Sequence, residues 1–67
     1  MIKIRLREVM WEKDVTAAEI NRATGLNKAN LSNIMRNKHT NVGLHTINIL
    51  CNYLKCSLDD LLEYTPD

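Results

Sequence analysis

A compact all-α fold of five helices with a short extended N-terminal arm is predicted by three observations. The 67-residue chain has two Gly, one Pro and no Phe, and the remainder favours helices. Apolar residues recur at helical spacing: Ile20 with Ala23, then Leu31, Ile34 and Met35, then Leu44, Ile47, Leu50, Cys51 and Leu54. Helix punctuation falls between these stretches, with Thr16-x-x-Glu19 and Ser57-x-x-Asp60 reading as capping boxes and Gly25 as a turn. A chain of this length makes one small domain, residues 1–67, that buries about 60% of its unfolded surface, with no deep pocket expected.

Residues 1–7 alternate, with Ile2, Ile4 and Leu6 apolar and Lys3, Arg5 and Arg7 basic, and period two argues for an extended arm. A lone strand leaves backbone groups unpaired, so the arm either pairs with the arm of a second copy or lies over the core. A first helix over about residues 6–13 turns Leu6, Val9 and Met10 inward. Trp11 sits about 100° round from Met10, which places it at the edge of that stripe in partial contact with the core. The other role open to it is as an anchor at a protein interface. The second helix opens at the Thr16 cap and closes at Gly25, a residue free to enter the left-handed conformation. Leu26 plugs the corner, and Asn27 caps a third helix carrying Leu31, Ile34 and Met35. Helix, Gly-containing turn and helix, over about residues 16–36, is the plan of a helix-turn-helix. Asn37 is suited to a left-handed helix end, and a polar stretch leads to Gly43, which caps a fourth helix. A short fifth helix runs through Leu58, Leu61 and Leu62, and residues 64–67 are a tail.

The third helix indicates a polyanionic partner. At about 100° per residue, Lys28, Ala29, Ser32, Asn33 and Arg36 share an arc of roughly 140° opposite Leu31 and Ile34. That face carries two cations, an amide and a hydroxyl, and no acid. Lys donates to guanine edges or phosphates, Asn pairs with adenine, and Ala sits against a thymine methyl. Lys28, Ala29, Ser32 and Asn33 are therefore the candidate base readers. Arg36, with Asn37, Lys38 and Asn41 of the following loop, is placed for the phosphate backbone. The formal net charge of +1 hides an asymmetry. Between Ile20 and Leu58 stand Arg22, Lys28, Arg36, Lys38 and Lys55 without a single acid, whereas Asp59, Asp60, Glu63 and Asp67 crowd the end.

Other chemistry finds little purchase. His39, His45, Cys51 and Cys56 lack close C-x-x-C pairing, and His45 and Cys51 lie roughly 240° apart on one helix. No metal or other cofactor is expected. No Ser/His/Asp set, paired carboxylates or Gly-rich phosphate loop can be assembled, so the chain reads as a non-enzyme without a small-molecule ligand. It shows neither a membrane-spanning run nor a signal-peptide plan, and a cytoplasmic location is expected. Cys51 and Cys56 are then reduced thiols, with Cys51 filling the core.

The residues Thr16 with Glu19, Ile20, Gly25, Leu26, Leu31-Ser32 and Ile34, followed by the two C-terminal helices, resemble the XRE family, the Cro and phage-repressor type of helix-turn-helix. The likeness covers essentially the whole chain, including the M-I-K-I start and the S-L-D-D-L-L-E-Y-T-P-D ending, which resemble short stand-alone bacterial regulators. It implies a lambda-repressor-like domain that binds operator DNA, usually as a dimer. Ala17 stands where such proteins often place a phosphate-clamping Gln, so that contact falls to the backbone N–H groups at the helix start. Asn21 takes a position usually held by a small residue, where two helices approach closely, and fits if it bonds across the turn. Asn37 replaces the usual Gly.

The expected function is sequence-specific transcriptional regulation, most simply repression, with residues 28–36 in the major groove of double-stranded DNA. The alternative is a protein-interaction module contacting a partner regulator through Trp11 or the acidic end. A single reading helix covers few base pairs, so a homodimer is expected. Its interface involves the fifth helix and Tyr64, supported by Trp11, with the N-terminal arm as second choice.

Overall fold

The computed structural model describes residues 1–38 and 42–66. His39, and Asn41 of the expected phosphate set, lie outside them. The elements run β1 (Ile2–Ile4), α1 (Leu6–Lys13), α2 (Ala17–Thr24), α3 (Lys28–Met35), α4 (Leu44–Leu54), α5 (Leu58–Leu61) and β2 (Leu62–Tyr64). One core holds them together: Ile4, Leu6, Val9, Met10, Ile20, Leu31, Ile34, Ile47, Leu50, Leu54 and Leu61 are buried. α1 packs on α3, α4 and α5, and α2 packs on α3 and α4. Each helix contributes an apolar stripe that it cannot bury alone.

The expected caps form, with one change. Thr16 Oγ1 accepts from the Glu19 N–H at 3.2 Å. The Glu19 carboxylate meets the Thr16 hydroxyl at 3.3 Å rather than the Thr16 N–H, so this box is half closed. Asn27 Oδ1 accepts from the N–H groups of Ala29 and Asn30. The box at Ser57 and Asp60 is fully reciprocal. Bonds from Ser57, backbone first and hydroxyl second, hold the Asp60 carboxyl below its ordinary range. Gly25 closes α2 at φ 79°, a conformation that side chains resist. Asp14, Asn37 and Lys55 turn the chain in the same left-handed way at the ends of α1, α3 and α4.

Four apolar residues lie elsewhere than the sequence pattern places them. Trp11 is 84% exposed. Measured from Leu6, at the centre of the α1 stripe, it is about 140° round the helix and points away from the core. Leu44, the first residue of α4, is 86% exposed. The stripe of that helix centres on Ile47, Leu50 and Leu54, and Leu44 lies about 80° off it. Cys51, also off centre, is half-buried. Leu58 opens α5 and is 54% exposed.

The ends of the chain meet. α5 stops at Leu61, one residue short of expectation, because Leu62 is extended at φ −114° and ψ 143°. Residues 62–64 pair antiparallel with β1, in the register Ile2 to Tyr64, Lys3 to Glu63 and Ile4 to Leu62. Beyond the strands, Met1 and Thr65 exchange bonds, ammonium to carbonyl at 2.6 Å and N–H to carbonyl at 2.9 Å. The partner strand of the arm thus takes Leu62 from the expected helix and Tyr64 from the expected tail. The ribbon anchors one end in the core through Ile4 and half-buried Leu62, leaving Ile2 and Tyr64 exposed.

Candidate nucleic-acid interface

α2 and α3 meet across a turn of three residues, held by bonds from both sides. Gly25 donates to the Asn21 carbonyl at 2.8 Å, and the Thr24 hydroxyl accepts from the Leu26 N–H at 3.2 Å. Asn21, half-buried between the helices, donates its amide to the Leu26 carbonyl at 2.6 Å. This is the bond across the turn that a residue of that size needs there. Asn21→Ala therefore removes a made bond and is expected to destabilise by about 1 kcal/mol. A thermal melt checks it, and an unchanged or raised midpoint would show the bond to be dispensable.

On this mount, α3 stands with Leu31 fully buried and Ile34 nearly so. The opposite face is open: Lys28, Ala29, Asn33 and Arg36 are exposed and Ser32 is half-exposed. The four candidate base readers thus lie side by side, with no acid on α3 itself. At the start of α2, the side chain of Thr16 satisfies only the third N–H of the helix. The N–H groups of Ala17 and Ala18 lack intrahelical acceptors, as helix starts do, and this end attracts anions.

The end of α3 is built from three residues with different work. Arg36 Nε donates to the Ser32 carbonyl at 3.4 Å, which directs the exposed guanidinium along the helix. The N–H groups of Asn37 and Lys38 donate to Ile34 and Asn33 carbonyls at 3.0 and 2.9 Å, closing the helix with Asn37 at φ 55°. The Asn37 side chain grips β1: its Oδ1 accepts from the Ile4 N–H at 2.9 Å and its Nδ2 donates to the Ile4 carbonyl at 3.1 Å. These bonds use the oxygen and one of the two amide N–H groups, and the exposed side chain keeps a second N–H that they do not engage. Asn37 thereby fixes the end of α3 to the ribbon, next to Arg36 and Lys38. Pattern reading missed this because the two residues are 33 positions apart. The signal within reach was an amide, rather than glycine, at a left-handed helix end.

The geometry is therefore a short helix with one open, acid-free face, mounted by a tight turn on a second helix whose first N–H groups lack intrahelical acceptors. The family profile of the Cro/C1-type HTH DNA-binding domain matches residues 5–67. The chain belongs to this family. A similar protein is the uncharacterized HTH-type transcriptional regulator YozG of Bacillus subtilis (strain 168). It is 29% identical over 66 residues, covering 98% of this chain and 79% of that one. The crystal structure of the transcriptional regulator VanUg superposes with a TM-score of 0.75 at 25% identity, over 98% of this chain and 87% of that one. The family is one of DNA-binding transcriptional regulators. Among the described residues, no three His, Cys, Asp or Glu side chains gather as a metal site. No helix there is long and apolar enough to cross a membrane.

Proposed function

We propose that this Cro/C1-type protein is a sequence-specific repressor that lays α3 in the major groove of its own operator. The observation that carries the reading is the open face of α3, two cations, an amide and a hydroxyl without an acid, fixed from behind by Leu31 and Ile34. Lys28, Ala29, Ser32 and Asn33 read base edges. The N–H groups at Ala17, the Arg36 guanidinium, Asn37, Lys38 and Asn41 hold phosphates, and Asn37 also positions its neighbours. Bound in this way across a promoter, in the cytoplasm, the protein excludes polymerase. It needs no ligand pocket or cofactor for that act.

The test is selection of a preferred site from random duplexes, followed by two variants. Asn33→Ala is expected to weaken binding to the best site by about 1–3 kcal/mol and to relax preference at one base position. Lys38→Ala is expected to weaken all sequences about equally and lower the salt slope by roughly one unit. An Asn33→Ala variant with unchanged site preference overturns the reading face. A Lys38→Ala loss confined to one base position removes that residue from the phosphate set.

A second reading has its own observation, the exposed indole of Trp11 on the outer side of α1. A fold of this kind that contacts a partner regulator instead of DNA would use such an anchor. Binding to duplex DNA that weakens steeply between two salt concentrations decides for the first reading.

A further inference from the structure

The two cysteines meet at one helix end. Cys51 lies one turn before the end of α4, and Lys55 turns the chain at φ 53°. The N–H groups of Lys55 and Cys56 both reach the Cys51 carbonyl, the latter at 3.2 Å. This closure brings the side chain of the acceptor residue against that of the residue just past the turn, where helices commonly place an apolar pair. α1 ends in the same manner with Met10 and Val15, whose N–H donates to the Met10 carbonyl at 2.9 Å beneath Asp14 at φ 56°. In α4 the two equivalent positions, Cys51 and Cys56, both carry thiols. Both residues are half-buried and free, so small reagents reach them without opening the core.

We propose that Cys51 and Cys56 are a modification site, oxidised by a low-molecular-weight disulfide to an intrachain bond that staples the end of α4 to the start of α5. One protein thiolate attacks a sulfur of the reagent, forming a mixed disulfide and releasing one reagent thiolate. The second protein thiol then loses its proton and attacks the protein sulfur of that mixed disulfide, expelling the other reagent thiolate. Two protein thiols are oxidised by two electrons, one reagent disulfide becomes two thiols, and the two protons end on those thiols. The backbone closure that holds the two residues at one helix end is what favours the second attack over a second mixed disulfide.

The environment sets the pace. Burial first, then the charge of Cys51 and its hydrogen bond, then Asp60, push the Cys56 thiol up, with Lys13 alone opposing. Formation of the staple therefore quickens as pH rises toward the thiol range, since the thiolate is the attacking species. The bond closes a short loop directly ahead of α5, which leads without a break into β2. It stiffens the C-terminal half without touching the reading face.

The experiment equilibrates the full reduced chain with mixtures of reduced and oxidised glutathione, quenches with an alkylating agent and reads mass and melting temperature. Expected are a mass lowered by two hydrogens, a linked peptide pair containing Cys51 and Cys56, and a melting temperature above that of the reduced chain. Cys51→Ser and Cys56→Ser should each yield a single glutathione adduct on the remaining thiol instead. Glutathione on both cysteines of the unaltered chain, chain-to-chain crosslinks, no reaction, or a stapled chain that melts lower would each overturn the proposal.

Discussion

Leu31→Ala is expected to lower the melting temperature by on the order of 10–30 °C and to abolish DNA binding at the temperatures where the variant is unfolded. Leu31 is fully buried at the foot of α3. Truncating such a side chain costs about 2–5 kcal/mol in lost transfer and cavity terms. A chain of this size has about 3–10 kcal/mol in all. α3 has only eight residues, fewer than the roughly 12–15 an isolated helix needs in water, so its packing, and not its propensity, keeps it formed. The proposed reading face and the core are therefore opposite sides of one short element. Circular dichroism melts and fluorescence anisotropy on the selected site check this together. A shift below about 5 °C with weakened binding would mean that Leu31 acts at the interface and not through the core. Asn33→Ala offers the converse, with the melt kept and the site preference relaxed.

The difference between those two variants was legible in the sequence, because both rest on local period and capping. Leu31 and Ile34 stand one turn from each other between the Asn27 cap and the polar end at Asn37, and this alone separates the inward face from the outward one. Gly25, Asn27 and Ser57 mark element ends for the same local reason, and the structure sets α2, α3 and α5 beside them. What escaped depends on contacts distant in sequence. Residues 62–64 carry too little pattern of their own to be seen as a strand, and Tyr64 becomes part of one only because Ile2 lies opposite. The grip of Asn37 on Ile4 is of the same kind. Trp11 and Leu44 show a different limit: an apolar residue next to a buried stripe matches the pattern nearly as well as one within it. Its exposure follows from the angle to the stripe's centre, not from its distance to one neighbour.

Inserting about five base pairs, half a helical turn, at the centre of the selected operator is expected to weaken binding by roughly 10²–10⁴-fold. α3 is eight residues long, about 12 Å at 1.5 Å per residue, and reaches only a few base pairs. With a formal net charge of +1, one copy has modest attraction for phosphate. Two copies reading half-sites about 34–36 Å apart convert the second binding event into an intramolecular one. Half a turn rotates the second half-site to the far side of the duplex, where a rigid dimer does not reach. The arm is poorly suited to join the copies, since β2 occupies one edge of β1 and Asn37 closes the other at Ile4. The outer edge of β2 is the better surface: the sheet has two strands among the described residues, and Tyr64 is 70% exposed on the second. Glu63 stands between Leu62 and Tyr64, so a register that sets Glu63 against its twin is disfavoured, and the pairing shifts to avoid it. Tyr64→Asp adds a second charge to that edge, and in sedimentation it is expected to convert dimer to monomer while the melt of the isolated chain changes little. An insertion that leaves affinity intact, or a chain that sediments as a monomer both free and on its operator, would show that a single copy suffices.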